Sequence, residues 1–343
     1  SDWKKFMNSK LYQPTKTNCN FLKDYKIQMS NLILPNLLDG DIQKGGTHQA
    51  MNLVDSFLSK RGEKYQSQMS SPITAESSCS RLSPHIAYGT ISLREIFQIT
   101  VHHQNQDITT DKKKSLRSFK SRLAWHCHFI QKFYDQPSIE KYNLSSSYDG
   151  LRENDFNERY FSAWKDGMTG YPFIDACMRY LKNNGWINFR MRAMLVSFAS
   201  YQLWLDWKLT SKFLSKYFTD YEPGIHYSQF QMQSGTTGIN TLRIYNPIKQ
   251  SYDHDALGCF IKKWVPELSK VPIKYIHEPW TMTPIESKCL NFKIGKSYKD
   301  RIIDNKLSTR LAKEKIWAVK KSLNAREEAK EIVKRHASMK RGR

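Results

Sequence analysis

The sequence predicts an all-α fold. Apolar residues recur at helical spacing in one segment after another, and alternating strand patterns are hard to find. The 343-residue chain is 39% hydrophobic and 13% aromatic, which suits one large folded core or two smaller ones rather than a disordered chain. No repeat of 20–50 residues is visible, which argues against a solenoid.

Residues 1–44 are mixed and polar, with an apolar island at residues 32–38 broken by Pro35. They read as a linker or a clasp on a larger body. Gly45-Gly46 opens a helical pattern in which Ala50, Leu53, Val54, Phe57 and Leu58 share one face. Residues 67–80 read as a Ser-rich loop. Ser83-Pro84 starts the next helix, since proline's fixed φ suits a first turn. Residues 115–134 give a third helix with Leu116, Phe119, Leu123, Phe129 and Phe133 as apolar positions. Residues 135–158 are polar and acid-tinged, the pattern of a surface loop with a short turn. Pro172 opens the clearest helix: Ile174, Cys177, Met178 and Leu181 repeat at helical spacing, and Gly185 ends it. Residues 188–207 predict one long helix with Met191, Met194, Leu195, Phe198 and Leu205 inward. Residues 310–343 hold 12 Lys/Arg against 4 Asp/Glu, with Ile316, Val319 and Ile332 as the main apolar anchors. That segment reads as a solvated basic helix with a frayed end, or as a polyanion-contacting tail. The expected division is a clasp over 1–44, a helical domain over 45–283 and a basic extension over 284–343.

A formal net charge of +22 attracts polyanions, with nucleic acid first and an anionic membrane surface second. Six cysteines (Cys19, Cys79, Cys127, Cys177, Cys259 and Cys289) lie far apart with no CxxC pair. This argues against zinc or iron–sulfur ligation and suits a reducing compartment. The longest apolar runs fall short of the ~20 residues that span a bilayer, and SDWKKFMNSK at the N-terminus lacks an apolar signal region. The expectation is a soluble, cytoplasmic, monomeric protein with no metal site.

The choices between residues 164 and 268 are distinctive: TGYP, GW, RMR, LDW, RIYNP and FIKKWVPEL occur in that order. Upstream, Cys79-Ser80-Arg81-Leu82-Ser83-Pro84 sets hydroxyls and a cation before a helix start. That arrangement suits a phosphate, and it equally suits an ordinary cap at Ser83. Together these stretches resemble the flavin-binding helical domain of the photolyase and cryptochrome family, over about residues 45–283. The resemblance implies FAD as cofactor, DNA as partner, and electron donation from light-excited reduced flavin to a DNA lesion. A cryptochrome-like sensor or redox flavoprotein without repair is the alternative it allows. Full-length relatives begin with an α/β domain that often binds an antenna pigment; this chain begins near the linker that follows it.

The resemblance also implies roles. Cys79, Ser80, Arg81, Leu82 and Ser83 would hold the flavin phosphates, with Cys79 where the family has threonine, and Tyr65 would sit near the same end. Arg192 and Asp220 would pair beside the reactive ring nitrogen. Glu222 stands for the second aspartate of an Asp-x-Asp. His226 stands where repair enzymes often have asparagine, and it could donate a hydrogen bond or a proton there. Arg190, Arg243 and Gln250 match contacts around a flipped lesion, and Trp125 matches the tryptophan on which a thymine dimer stacks. Arg122, at the same rim, replaces a glutamate that hydrogen-bonds the dimer, and a guanidinium cannot accept hydrogen bonds. Phe189 replaces a pocket asparagine, Met232 a pocket tryptophan, and Asn188 the histidine of (6-4) repair enzymes. The family's chain of three tryptophans maps to Phe230, Trp207 and Asn154, so the middle member alone remains. Trp204, Tyr201 and Tyr217 are alternative steps.

Overall fold

The structure, a computed structural model, describes residues 2–11, 40 and 42–336. Among them there is no named strand, and one isolated bridge joins Ile294 to Tyr298. The helices are α1 (Asp2–Met7), α2 (Thr47–Ser56), α3 (Tyr65–Gln68), α4 (Pro72–Ser78), α5 (Ser83–Ala87), α6 (Leu93–Gln104), α7 (Thr110–Asp135), α8 (Glu158–Lys165), α9 (Pro172–Asn184), α10 (Phe189–Ser197), α11 (Trp207–Ser215), α12 (Pro223–Ser234), α13 (Pro247–His254), α14 (Cys259–Trp264), α15 (Ile273–Ile276), α16 (Pro284–Cys289), α17 (Asn305–Lys321) and α18 (Leu323–His336).

Two hydrophobic cores carry the site. The larger is built from α8 to α14, with Trp164, Ile174, Cys177, Leu181, Met191, Leu195, Phe198 and Trp207 inside. The smaller joins α2, α6 and α7 through Val54, Phe57, Ile96, Leu116 and Leu123. Cys79 packs against both, so the segment that follows α4 runs along their seam. Met7 of α1 is buried in the smaller core, and Trp3 meets Phe97 edge-on at 5.1 Å. The apolar island at residues 32–38 lies outside the described residues.

The α9 expectation holds in detail. Pro172 occupies the first turn, and Gly185 takes φ 66 at the C-cap, a left-handed conformation that glycine adopts without strain. The third helix is longer than 115–134, because Thr109 caps it by accepting from the Lys112 amide at 3.2 Å.

Five expectations are corrected. Residues 67–80 are largely helical: Ser71 accepts from the Ile73 amide, Pro72 starts α4 and Ala75 is buried. The cap of α5 falls on Leu82 without a side-chain bond, and Ser83 lies inside the first turn. The single helix over 188–207 is broken. α10 passes into a π turn at Phe198–Gln202, Trp204 takes φ 54, and Asp206 caps α11 through the Lys208 amide. The inward apolar spacing continued through the break because both sides face one core, so periodicity did not reveal it.

Residues 135–158 are no free loop. The buried Gln231 side chain accepts from Leu144 N at 2.6 Å and donates to the carbonyls of Ile139 and Tyr142 at 2.8 Å. One side chain thereby satisfies backbone groups that would otherwise need water. The basic end is docked as well. Ala312 and Ile316 of α17 pack with Tyr148 and Tyr201. Ile332 of α18 packs with Ile139 and Leu144. Glu328 accepts from Ser146 N and Ser145 Oγ at 2.6 Å, from Ser147 Oγ at 2.8 Å and from Ser147 N at 3.1 Å.

Candidate functional site

Arg192 lies in the first turn of α10, and Asp220 lies in the turn before α12. Packing of α10 on α12 brings them together. The guanidinium forks the carboxylate at 2.9 and 2.8 Å. It also donates from Nε to the Ile187 carbonyl at 2.7 Å and lies over the Phe218 ring at 4.3 Å. The bidentate geometry fixes both groups, and a buried pair needs such extra bonds to persist. Burial alone would raise the Asp220 carboxyl, but the Arg192 charge and fork, together with the Ser83 hydroxyl, hold it below the usual carboxylate value. Ser83 thus ties the start of α5 to the ion pair.

His226 is buried beside this pair, among Phe218, Tyr221, Tyr227 and Phe230. Burial pushes its imidazole down to about 4, against the opposing Ser211 carbonyl. The ring is neutral at pH 7. Nε2 lies 3.0 Å from the Ser211 carbonyl, which can only accept, so the proton sits on Nε2 and Nδ1 is an acceptor. This revises the expected role: the ring nitrogen left over accepts a hydrogen bond and holds no proton to give. Glu222 is also committed. Its carboxylate meets His126 of α7 at 2.8 Å. Burial opposes the charge on His126, but the neighbouring Cys127 and the Glu222 carboxylate raise it to about 9.

The segment between α4 and α5 is held from three sides. Arg61, at the end of a π turn over Phe57–Arg61, donates to the carbonyls of Cys79 and Ser80. Gln43 donates to the Arg81 carbonyl at 2.8 Å. The Arg81 guanidinium lies 4.0 Å over Trp186. Cys79 is a neutral thiol, since burial pushes it up to about 12 although Arg81 and Arg61 oppose the shift. Tyr65 is buried edge-on to Phe57 and Phe119, and burial raises its phenol, so the hydroxyl stays protonated. Leu82 is buried in the smaller core.

The expected nucleic-acid contacts sit on a different set of elements. Trp125 is 40% exposed on α7 and stacks on Phe129 at 5.7 Å. Arg122 is exposed one turn earlier. Phe189 and Arg190 open α10; Phe189 is 54% exposed, and Arg190 Nε is buried without a hydrogen-bond partner among the described residues. Gln250 is buried on α13 with no partner for its Oε1 among the described residues, and Arg243 is exposed on the strap before that helix. Asn188 is turned inward and donates to the carbonyls of Met69 and Ser70. It braces the α3–α4 corner.

Among the aromatic residues, Trp207 is buried and donates to Asn143 Oδ1 at 2.7 Å. Tyr227, which the sequence did not single out, lies 6.4 Å from Trp207 and 5.3 Å from His226. Phe230 is 4.5 Å from His226. Trp204 lies apart, between Arg152 at 4.4 Å and Lys315 at 4.5 Å, with its N–H on Asp155. Tyr201 is buried with no partner for its hydroxyl among the described residues, and Tyr217 stands against Phe213. Arg61, Gln43, His126 and Tyr227 contact the candidate site residues and were not singled out from the sequence. Their partners are remote in the chain or lie on another helix, so no local pattern marks them. Among the described residues no three His, Cys, Asp or Glu side chains could hold a metal ion, and no helix is long and apolar enough to cross a membrane.

An all-helical body with a forked ion pair beside a neutral histidine, and a braced turn bearing two hydroxyls nearby, presents donors and acceptors that a phosphorylated cofactor can use. The comparisons make the class specific. Residues 119–318 match the family model described as the FAD binding domain of DNA photolyase. The chain is 31% identical over 270 residues to the deoxyribodipyrimidine photo-lyase of Streptomyces griseus, covering 78% of this chain and 55% of that protein. It is 32% identical over 257 residues to the same-named protein of Vibrio cholerae, covering 73% and 51%. A crystal structure of a class III photolyase from Agrobacterium tumefaciens superposes with a TM-score of 0.72 at 28% identity, over 81% of this chain and 56% of that one. A Synechocystis cryptochrome superposes at 0.73 with 23% identity, a likeness of fold alone. The chain spans about half the length of the curated relatives it matches. It belongs to the photolyase FAD-binding domain family.

Proposed function

We propose that the chain binds FAD between its two cores and acts on DNA as a photolyase-type lyase. The observation that carries this reading is the Arg192–Asp220 fork, buried beside neutral His226 and joined through Ser83 to the braced turn. The donor set fits FAD: the Ser80 and Arg81 amides have no partner among the described residues, and phosphate oxygens suit such donors. When bound, FAD would supply the light absorption and, in its reduced form, an electron for a DNA lesion. Arg192 and Asp220 present a fixed donor and acceptor edge. His226 Nδ1 offers an acceptor, which favours a ring nitrogen that carries hydrogen. Trp125 gives an exposed face on which a flipped base can stack, and Arg122, Arg190 and Arg243 neutralise phosphates around it. Buried Trp207 and half-buried Tyr227, which stands 5.3 Å from His226, form an aromatic pair through which the cofactor could be re-reduced. The +22 charge favours nucleic acid as the partner.

Arg122 and Phe189, in place of the pocket's acidic and amide groups, support the second reading, a light sensor or redox flavoprotein without repair. The deciding experiment is purification followed by FAD reconstitution and exposure of ultraviolet-damaged DNA to blue light. Bound flavin with light-dependent loss of lesions supports repair. Bound flavin without lesion loss moves the reading to the sensor. Protein that takes up no FAD overturns both.

A further inference from the structure

Arg61 makes an unusual number of backbone contacts for a half-buried guanidinium. Nε donates to Ser56 Oγ at 3.0 Å. The remaining N–H groups reach the carbonyls of Leu53 at 3.0 Å, Ser80 at 3.2 Å, Ser77 at 3.5 Å and Cys79. A guanidinium has five donors in a rigid plane and no acceptor, so it can gather several carbonyls at once.

Two of those carbonyls, Cys79 and Ser80, are consecutive. The described peptides are all trans, and in a trans peptide the N–H points opposite to the carbonyl of the preceding residue. Holding the Cys79 and Ser80 carbonyls on Arg61 therefore turns the Ser80 and Arg81 amides away from it. Neither amide has a partner among the described residues. Arg81 takes φ 61, left-handed for a residue with a side chain, and Leu82 follows at φ −89, ψ −8. The next amide, Leu82 N, turns back to the Ser80 hydroxyl at 3.4 Å, so the Ser80 and Arg81 amides are the two left for phosphate oxygens. Gln43 holds the next carbonyl, that of Arg81, from outside. The π turn at Phe57–Arg61 is what brings Arg61 to this place: the Gly62 amide reaches back to the Phe57 carbonyl at 2.8 Å.

We propose that Arg61 is the positioning residue of the pyrophosphate site. It acts through the backbone rather than on the ligand: it fixes two peptide planes so that their amides face the FAD pyrophosphate. The inference rests on the FAD reading above. Its mechanism is directional, so the planar fork matters and positive charge alone does not suffice.

The test uses the whole chain with FAD as the probe. Equilibrium titration by flavin fluorescence gives the affinity of the wild type, R61Q and R61K, and phosphorus NMR reports the bound pyrophosphate. R61Q is expected to weaken FAD at least about tenfold. R61K, which keeps the charge and loses the fork, is expected to lose nearly as much. In both, the bound phosphorus resonances should move toward their free positions while the visible absorption of the bound ring stays put. R61K binding like the wild type overturns the proposal, and so does a loss of affinity with unmoved phosphorus resonances. Should R61Q not fold, R61K alone decides. Wild-type protein that binds no FAD sinks the FAD reading itself; tight wild-type binding that R61K leaves unaltered sinks only the role of Arg61.

Discussion

Replacing Asp220 by Asn tests whether the central ion pair is held by charge as well as shape. Asparagine keeps the size of the side chain but offers one acceptor and turns an NH₂ toward the guanidinium. One of the two bonds, now 2.9 and 2.8 Å, is lost, and the other loses its charge assistance. Breaking a buried pair from one side costs about 3–5 kcal/mol, and a single bond to a charged group is worth about 1.5–3 kcal/mol. Arg192 keeps its bond to Ile187 and its place over Phe218, and its side chain is 23% exposed. The lower end therefore applies, about 3 kcal/mol. Urea denaturation of the ligand-free protein, followed by circular dichroism at pH 7, measures it. The pH dependence has a definite sign. Asp220 titrates below its unfolded value, so its contribution is fully present above about pH 4 and is lost as pH falls through the folded pKa. The gap between wild type and D220N should be constant from pH 7 to about pH 5 and shrink in stronger acid. A gap under about 1 kcal/mol at pH 7, or one that widens on acidification, would refute the reasoning.

Gly170→Ala should destabilise by well over 1 kcal/mol, because Gly170 takes φ 78 and a Cβ there would lie 2.3 Å from the Asp300 carbonyl oxygen; thermal melting of the ligand-free chain checks this. Glu328→Ala should loosen α18 by about 1 kcal/mol, read as faster amide exchange over residues 323–336 with α9 unaffected. Burial opposes the Glu328 charge, but the Ser145 and Ser147 hydroxyls and the Ser146 and Ser147 amides bring its carboxyl down to about 2. That contribution is present above the unfolded carboxylate value of about 4 and disappears as pH falls toward 2, so wild type and E328A should converge there.

Much of the fold was readable along the chain. α9 declares itself by Pro172, a four-residue apolar rhythm and Gly185, all local signals. The break after α10 was not readable, because Phe198 and Leu205 are both buried and keep the rhythm across the π turn. The docking of residues 135–158 was hidden for another reason. It depends on Gln231, a polar residue on a distant helix whose bonds are invisible until α12 is placed. The basic tail misled in the same way: charge dominates its composition, yet Ile316 and Ile332 are buried and Glu328 locks it down.

The site divides along the same line. Residue order announced a helical domain, and its resemblance to the photolyase and cryptochrome family implied FAD and named Arg192, Asp220, His226 and the turn from Cys79 to Ser83. Tertiary packing decided what those residues do. It closed a fork between side chains 28 positions apart, gave Glu222 to His126, and committed the His226 proton to Ser211. It also set which way the Ser80 and Arg81 amides face. Helical periodicity is a property of neighbouring backbone bonds and shows in the chain itself; the direction of a hydrogen bond between helices exists only once both are packed.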